Sequence, residues 1–302
     1  MAVPLTTGQM SQLTTLRGIH MVIFNDWETR PRVGRSIFKT YESNQYREHT
    51  QTVGGVGLMS VKTEGNPIDY DSINEGFTGT FTHVDYSKGL RLTREMMREE
   101  LYGVVDDLGV ELSQSAVATE ETILADNFNN GFSGGSSGPD GAQLFSTSHI
   151  RENGTTYANT LSNSSDISET SLQQVMINFR NTRTGGGLRM VIPPKVLLIP
   201  PDLQFKAMEL TKSKFGPEDD TNRINYLSEF GLQVKIWDYL TDTDSWFVLA
   251  DQSNHKLLHY TREELWTEHI YDFDTKDYKL SGMFSLSSGW ADPRGTYGVQ
   301  GA

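Results

Sequence analysis

The chain has 302 residues, 36% of them hydrophobic, which is enough for a buried core and for about two structural units. Its 26 Lys and Arg residues against 39 Asp and Glu give a net charge of -13, which argues against a general nucleic-acid-binding protein. The absence of cysteine excludes disulfides, thiolate zinc sites and cysteine nucleophiles, and no run approaches the roughly 18 apolar residues of a membrane span.

Apolar residues recur three and four positions apart between Gln9 and Trp27, which predicts an amphipathic helix that Pro31 ends. This helix opens an N-terminal arm. Its apolar face needs a partner, and we expect a second copy of the chain to cover it. The candidate contact residues on this face are Leu13, Leu16, Ile19, Ile23 and Trp27.

From Tyr46 to Leu90 the sequence turns to Thr, Val, Gly and aromatic residues, with period-two runs at Val56–Val61 and Phe77–Tyr86. This pattern predicts a long β-hairpin. Its tip contains the turn-forming residues of the segment from Glu64 to Ser72. A two-stranded ribbon is marginally stable alone, so we expect the tip to contact a neighbouring subunit. The candidate contact residues are Asn66, Pro67, Ile68 and Tyr70.

A single apolar stripe runs from Thr93 to about Phe128 and predicts one long helix, with Thr93 as its N-cap and the glycines after Gly131 as its stop. At 1.5 Å per residue such a helix would extend on the order of 54 Å, long enough to act as a strut.

The Gly- and Ser-rich segment Gly131–Gly141 predicts a loop and a boundary. Beyond it the pattern predicts alternating helices and strands, and then β-structure up to a turn at Asp292–Gly295 that ends regular structure. The whole chain therefore reads as α+β. The predicted elements are helices at Ser168–Arg183 and from Asp202 to about Lys214, and strands at Val196–Ile199, Leu232–Trp237, Trp246–Ala250 and Lys279–Leu286.

Two motifs could carry hydrolytic chemistry, and each has a simpler interpretation. Gly131–Gly135 matches the pattern of a hydrolase nucleophile elbow, but a helix precedes its serine where the elbow requires a strand. His255 and His259 have the spacing of a helical zinc pair, but they lie in a predicted strand, where both are expected to be surface or interface groups.

Acidic residues cluster around Asp238, Asp242, Asp244 and Asp251. Paired carboxylates can perform acid–base or metal chemistry, but Asp is also favoured in turns because it hydrogen-bonds its own backbone. Solvated turns are therefore the favoured interpretation. The sequence predicts no catalytic residue, no metal site and no cofactor.

The closing segment from Tyr271 to Leu286, continued by Gly289–Gly298, resembles the C-terminal strand of tailed-bacteriophage major capsid proteins. These proteins share the Hong Kong 97-like shell fold. The segment Asp140–His149, with its Asp-Gly, Leu-Phe and His residues, is similar to a signature of the Mu-like major head subunits in particular. The order of arm, hairpin, long helix, middle domain and returning strands resembles the shell fold over nearly the whole chain.

The resemblance implies five segments: an N-terminal arm at 1–45, an extended loop at 46–90, a spine helix and peripheral domain at 91–150, an axial domain at 151–260, and returning peripheral strands at 261–302. The axial contact loop on this division is either Phe215–Asn222 or Asp238–Ser245. Because the arm begins near Met1, a fused scaffolding domain is not expected.

The implied function is that of a structural protein that assembles into an icosahedral head around double-stranded DNA, in the virion, after synthesis in the host cytoplasm. Its implied partners are identical subunits in pentamers and hexamers, a portal, a separate scaffolding protein and a cement protein, with no specific DNA binding and no membrane. The alternatives are a metal-dependent or serine hydrolase, and a tail or surface binding module.

Overall fold

The computed structural model describes residues 7–71, 75–99, 104–133, 137–213 and 225–302, and residues 7–17 and 104 by their backbone alone. The helices are α1 (Thr7–Thr29), α2 (Val33–Ile37), α3 (Arg94–Arg98), α4 (Val104–Asn129), α5 (Glu169–Arg180) and α6 (Gln204–Lys212). The first strands are β1 (Lys39–Glu42), β2 (Arg47–Val53), β3 (Glu75–Thr82), β4 (Val84–Leu92), β5 (His149–Ile150) and β6 (Thr156–Tyr157). The later strands are β7 (Pro194–Ile199), β8 (Gln233–Ile236), β9 (Trp246–Ala250), β10 (Lys256–Tyr271), β11 (Tyr278–Asp292) and β12 (Thr296–Val299).

A long sheet of order β1-β10-β11-β4 forms the first layer, in which β1 runs parallel to β10 and the other neighbours are antiparallel. Strands β10 and β11 have 16 and 15 residues, well above the usual five or six. Alternate residues of β11, among them Leu280, Phe284 and Leu286, point to one face and are buried there.

Helices α1 and α4 cover that face of the sheet. Ile19 and Ile23 of α1 lie over Gly109 of α4, where a Cβ atom would stand 3.3 Å from Ile19, so the glycine permits the close approach of the two helices. Ile19, Ile23 and Trp27 are all buried in this cluster. The expectation that a second copy covers this part of the arm is therefore wrong, because the chain's own spine helix does so.

A second sheet of order β12-β9-β7-β8 forms the other body, with β7 and β8 parallel. Its core contains Leu197, Ile199 and Trp246 together with the apolar face of α5. Helix α5 begins at a capping box in which Ser168 and Ser171 satisfy each other's backbone N–H groups. A third cluster around Phe128 joins the two bodies and includes Trp237 and Phe247.

The structure differs from the predictions in four places. The single helix from Thr93 to Phe128 is wrong, because α3 begins as predicted at the Thr93 cap but ends at Arg98 before α4 begins. The predicted strand at Val56–Val61 is absent from the described structure, and β4 pairs with β11 and not with the ribbon. The turn at Asp292–Gly295 does not end regular structure, since β12 follows it and pairs with β9.

The domain boundary expected at residue 260 falls inside β10, which runs without interruption to Tyr271. The predicted Asp202 cap also differs, since a short 3-10 turn at Pro201–Leu203 precedes α6 and no side chain caps either element. None of the described helices is long and apolar enough to cross a membrane.

Candidate functional site: surfaces for subunit contact

Strands β2 and β3 form a separate two-stranded ribbon, with Arg47 opposite Thr82 at its base. The base rests on the outer face of the long sheet. Phe81 packs there against Leu258 and Tyr260, and it lies over Gly289, where a Cβ atom would stand 2.8 Å from the Phe81 ring. The chain therefore covers the base of the ribbon itself.

Beyond the base, residues 54–71 form no strand, and residues 58–71 are all exposed to solvent. Large apolar side chains are exposed along this ribbon tip: Leu58 is 88% exposed, Met59 100% and Val61 95%. Ile68 and Tyr70, two of the predicted contact residues, are 61% and 86% exposed, and Asn66 and Pro67 beside them are exposed as well. So many exposed apolar side chains in one short segment are typical of an interaction site.

The ribbon tip has a defined neck. The backbone N–H of Gly57 donates a hydrogen bond to Asp71 across the two arms of the tip at 2.7 Å. Gly186, in the turn after α5, lies so close to Gly55 and Val56 that a Cβ atom would stand 2.4 Å from the Val56 carbonyl oxygen. The neck is therefore held by the Gly57–Asp71 hydrogen bond and by the close backbone approach at Gly186, while the apolar side chains beyond it stay exposed in the described structure.

His83 marks the point where the ribbon leaves the long sheet. It is buried between β3 and β4, and its two ring nitrogens lie 3.2 Å from Ser43 Oγ and 3.1 Å from Ser287 Oγ. Burial lowers the pKa of His83 below its ordinary value. A neutral imidazole can donate at one nitrogen and accept at the other, which suits two hydroxyl partners.

The arm is fixed by an ionic cluster at its C-terminal end. Glu120 of α4 is fully buried and forms ion pairs with Arg32 at 3.1 Å and Arg35 at 2.6 Å. Arg35 also pairs with Glu264 of β10 at 3.0 Å, and Arg32 lies over the Trp27 ring at 3.7 Å. The cluster thus ties the arm to both the spine helix and the long sheet.

Burial sets the protonation tendencies in this cluster. Burial raises the pKa of Glu120 above its ordinary value, although Arg35 and Arg32 act to lower it. For Glu264 burial again acts to raise the pKa, but the hydrogen bond from Arg35 outweighs it, and the pKa lies below its ordinary value. One sequence signal could have revealed the cluster: Glu120 interrupts the apolar stripe between Ala116 and Leu124.

The segment that resembles the head-subunit signature forms a buried polar pair. His149 Nδ1 lies 2.6 Å from Asp140 Oδ2, and His149 Nε2 lies 3.0 Å from Asn159 Oδ1. Asn159 is oriented by its own bonds to Ser146 N and the Leu144 carbonyl, so its oxygen faces the imidazole. The Asp and His of the signature therefore hold the loop after the spine helix onto β5.

The predicted arm residues divide into two groups. Ile19, Ile23 and Trp27 are buried within the chain, whereas the side chains of Leu13 and Leu16 lie outside the described residues. Met21 and Phe24 of the same helix are exposed. The candidate axial loop at Phe215–Asn222 also lies outside the described residues.

The groups considered for catalysis do not converge. Ser133 lies in the turn that directly follows α4, without the entering strand that an elbow needs, and Gly134 and Gly135 of the motif lie outside the described residues. His255 and His259 are both buried, so the expectation of surface groups is wrong; burial lowers the pKa of each to about 4. In the part of the chain that the structure describes, no group of three or more His, Asp or Glu side chains could hold a metal ion.

The predicted acidic turn is confirmed as a local hydrogen-bonding unit. Asp242 accepts a hydrogen bond from Ser245 Oγ and a longer one, at 3.4 Å, from the backbone N–H of Asp244. These are the short-range bonds for which turns select Asp.

Comparison with known proteins identifies the fold. The capsid of cyanophage P-SCSP1u aligns with a TM-score of 0.61 at 11% identity, covering 90% of this chain and 88% of that one. The virus-like particle of Pyrococcus furiosus aligns with a TM-score of 0.59 at 8% identity, covering 94% and 98%. The procapsid of bacteriophage JBD30 aligns with a TM-score of 0.56 at 12% identity, covering 99% and 77%. Identities this low establish the shared fold alone.

The sequence itself matches the family model of phage capsid proteins over residues 78–299, more than two thirds of the chain. No curated protein sequence is significantly similar to it. The finer likeness to Mu-like head subunits stays a prediction. The chain belongs to the phage capsid protein family, and it is a structural subunit of the virion with the Hong Kong 97-like fold.

Proposed function

We propose that the chain is the major subunit of an icosahedral head that encloses double-stranded DNA, and that it performs no catalysis. The observation that carries this proposal is the ribbon tip, whose apolar side chains the chain leaves uncovered. Identical copies in pentamers and hexamers would cover one another's tips through head-to-tail contacts that close by rotation.

The proposed contact residues on the tip are Asn66, Pro67, Ile68 and Tyr70. Burial of a large apolar side chain contributes about 1.5–3 kcal/mol, so Ile68 and Tyr70 supply most of the binding free energy of this group. Asn66 and Pro67 shape the turn that presents them, since Asn66 N–H donates to the Thr63 carbonyl at 3.2 Å.

On the arm, we propose that Leu13 and Leu16 contact a neighbouring subunit. Ile19, Ile23 and Trp27 act indirectly, because their packing against α4 fixes the direction of α1. The exposed side chains of Met21 and Phe24 extend the surface that α1 offers to a neighbour.

Further partners follow from the architecture of a filled head. We propose that the subunit also meets a portal, a separate scaffolding protein during assembly, and a cement protein on the finished shell. The net charge of -13 suits a container that encloses DNA without binding it specifically. We also propose that the chain divides into an arm, an extended loop, a peripheral domain and an axial domain.

The test combines Ile68→Ser and Tyr70→Ser in the full-length chain and measures particle formation by light scattering and negative-stain electron microscopy. Wild-type chain is expected to form large closed shells, and the double variant to remain mostly as small species with unchanged circular dichroism. Ile177→Ser is the matched control, because Ile177 is 55% exposed on α5 and lies outside the ribbon. A double variant that assembles as the wild type does would contradict the proposal.

A further inference from the structure

Two imidazoles from distant parts of the chain meet on the surface where the arm crosses the long sheet. His20 Nε2 of α1 lies 3.0 Å from His269 Nδ1 of β10, although 249 positions separate the two residues in sequence. The ring centroids are 5.1 Å apart. His20 is half-buried and His269 is exposed, so solvent reaches the pair.

We propose that His20 and His269 form a two-histidine site for a divalent ion with the preferences of Cu²⁺ or Ni²⁺. Two nitrogens 3.0 Å apart, each bound at the usual metal–nitrogen distance of 2.0–2.1 Å, subtend an angle of about 95° at the ion. Tetragonal and square-planar ions take neighbouring ligands near 90°, whereas tetrahedral Zn²⁺ prefers a wider angle. In the hydrogen-bonded pair the two nitrogens face each other, so each ring must turn by about 40° to direct its lone pair at a common ion.

The surroundings of His20 favour the required tautomer. His20 Nδ1 is in hydrogen-bond contact with Thr267 Oγ1, and a ring proton on Nδ1 leaves the lone pair of Nε2 free for a ligand. His269 is exposed, so its proton can move from Nδ1 to Nε2 by exchange with solvent. Thr267 is thus a positioning residue that orients one of the two ligands.

The pair alone fills two coordination positions. Since no third His, Asp or Glu joins it within the described ranges, water or a group from a second copy completes the coordination. The bound ion would connect α1 to β10 and so hold the arm in its docked position. A ligand that binds only the folded state raises the apparent stability, and here it does so by fixing the arm.

The test titrates untagged full-length chain with Cu²⁺ alone at pH 7.5, by calorimetry and by electron paramagnetic resonance. The expected result is one site per chain whose spectrum shows two nitrogen ligands, together with a rise in Tm. In His269→Gln and in His20→Gln the affinity should fall at least tenfold, and the two-nitrogen spectrum and the rise in Tm should be lost. Thr267→Val should weaken binding severalfold and keep both nitrogens.

His49→Gln is the matched control, because His49 is also an exposed imidazole beside a threonine hydroxyl, Thr80 Oγ1 at 3.0 Å, but has no second imidazole. It should bind Cu²⁺ as the wild type does. Unchanged affinity and spectrum in both His269→Gln and His20→Gln would overturn the proposal. Since His269 is exposed, its variant should fold normally, which circular dichroism without metal verifies.

Discussion

Replacement of Asp140 tests the buried pair that underlies the signature segment. In Asp140→Ala, His149 Nδ1 loses its acceptor, and the backbone N–H of Ala142 loses the bond that it donates to Asp140 at 3.2 Å. A hydrogen bond with a charged partner contributes about 1.5–3 kcal/mol and a neutral one about 0.5–1.5 kcal/mol. The side chains of Asp140 and His149 are at most 5% exposed, so water does not replace the lost hydrogen bonds. We therefore expect a loss of about 3 kcal/mol in the free energy of unfolding.

Urea denaturation followed by tryptophan fluorescence, at one fixed protein concentration, measures the loss. Asp140→Asn is the matched variant, because it keeps an acceptor for His149 without the charge, and it should cost clearly less than Asp140→Ala. The single variants Asp140→Ala and His149→Ala and the double variant that combines them complete a double-mutant cycle, with an expected coupling energy of about 1–3 kcal/mol. A coupling near zero, or an Asp140→Ala variant as stable as the wild type, would refute the reasoning.

The contribution of the Asp140–His149 pair to the free energy of unfolding depends on pH. Burial acts to raise the pKa of Asp140, but the hydrogen bond and charge of His149 outweigh it, and the pKa lies below its ordinary value. A carboxyl group with a lowered pKa stabilises the fold above its unfolded pKa of about 3.9 and loses that contribution as pH falls through the folded value. The difference in unfolding free energy between wild type and Asp140→Asn should therefore shrink below about pH 4.

Three further variants test the arm, the neck and the ionic cluster. Ile23→Ala should lower the free energy of unfolding, measured by urea denaturation, by about 2–5 kcal/mol because Ile23 is fully buried against α4. Met21→Ala, at an exposed position of the same helix, should change this free energy by less than about 0.5 kcal/mol. Gly186→Ala should displace the ribbon neck, and limited proteolysis should cut the tip several times faster without a change in circular dichroism. Glu120→Ala should lower the free energy of unfolding by about 3–5 kcal/mol, since it leaves Arg32 and Arg35 without their buried partner. A variant as stable as the wild type would contradict the ion pairing.

Local signals predicted the elements that depend on local interactions. The helix at Ser168–Arg183 was predicted from its apolar stripe, and α5 buries that stripe. The strand at Val196–Ile199 was predicted from a short apolar run that Pro200 and Pro201 end, and it forms the buried strand β7. In both cases the residues that decide the structure lie within one turn or one strand of each other.

Long-range pairing explains what the sequence could not show. Strands β3 and β4 share one period-two pattern, and only the pairing of β4 with β11, almost two hundred residues later, assigns β4 to the long sheet. His255 and His259 were expected at the surface because nothing nearby in sequence indicates the cover that buries them. The Asp140–His149 segment is recognisable as a motif, but its structural role also depends on Asn159, which lies beyond the motif and contacts the imidazole.

The ribbon is fixed at one end and uncovered at the other. Ile19, Ile23 and Trp27 of the arm pack within the chain, whereas the ribbon is held at Phe81, His83 and Gly186 and leaves its tip uncovered. Contacts at the base and neck restrict the ribbon before a neighbour arrives, so less conformational freedom is lost when the tip binds. On the proposed function, a second copy would gain the apolar contacts of Leu58, Met59 and Tyr70 at a reduced entropic cost. Loosening the neck should therefore weaken assembly even when the contact residues of the tip are unchanged.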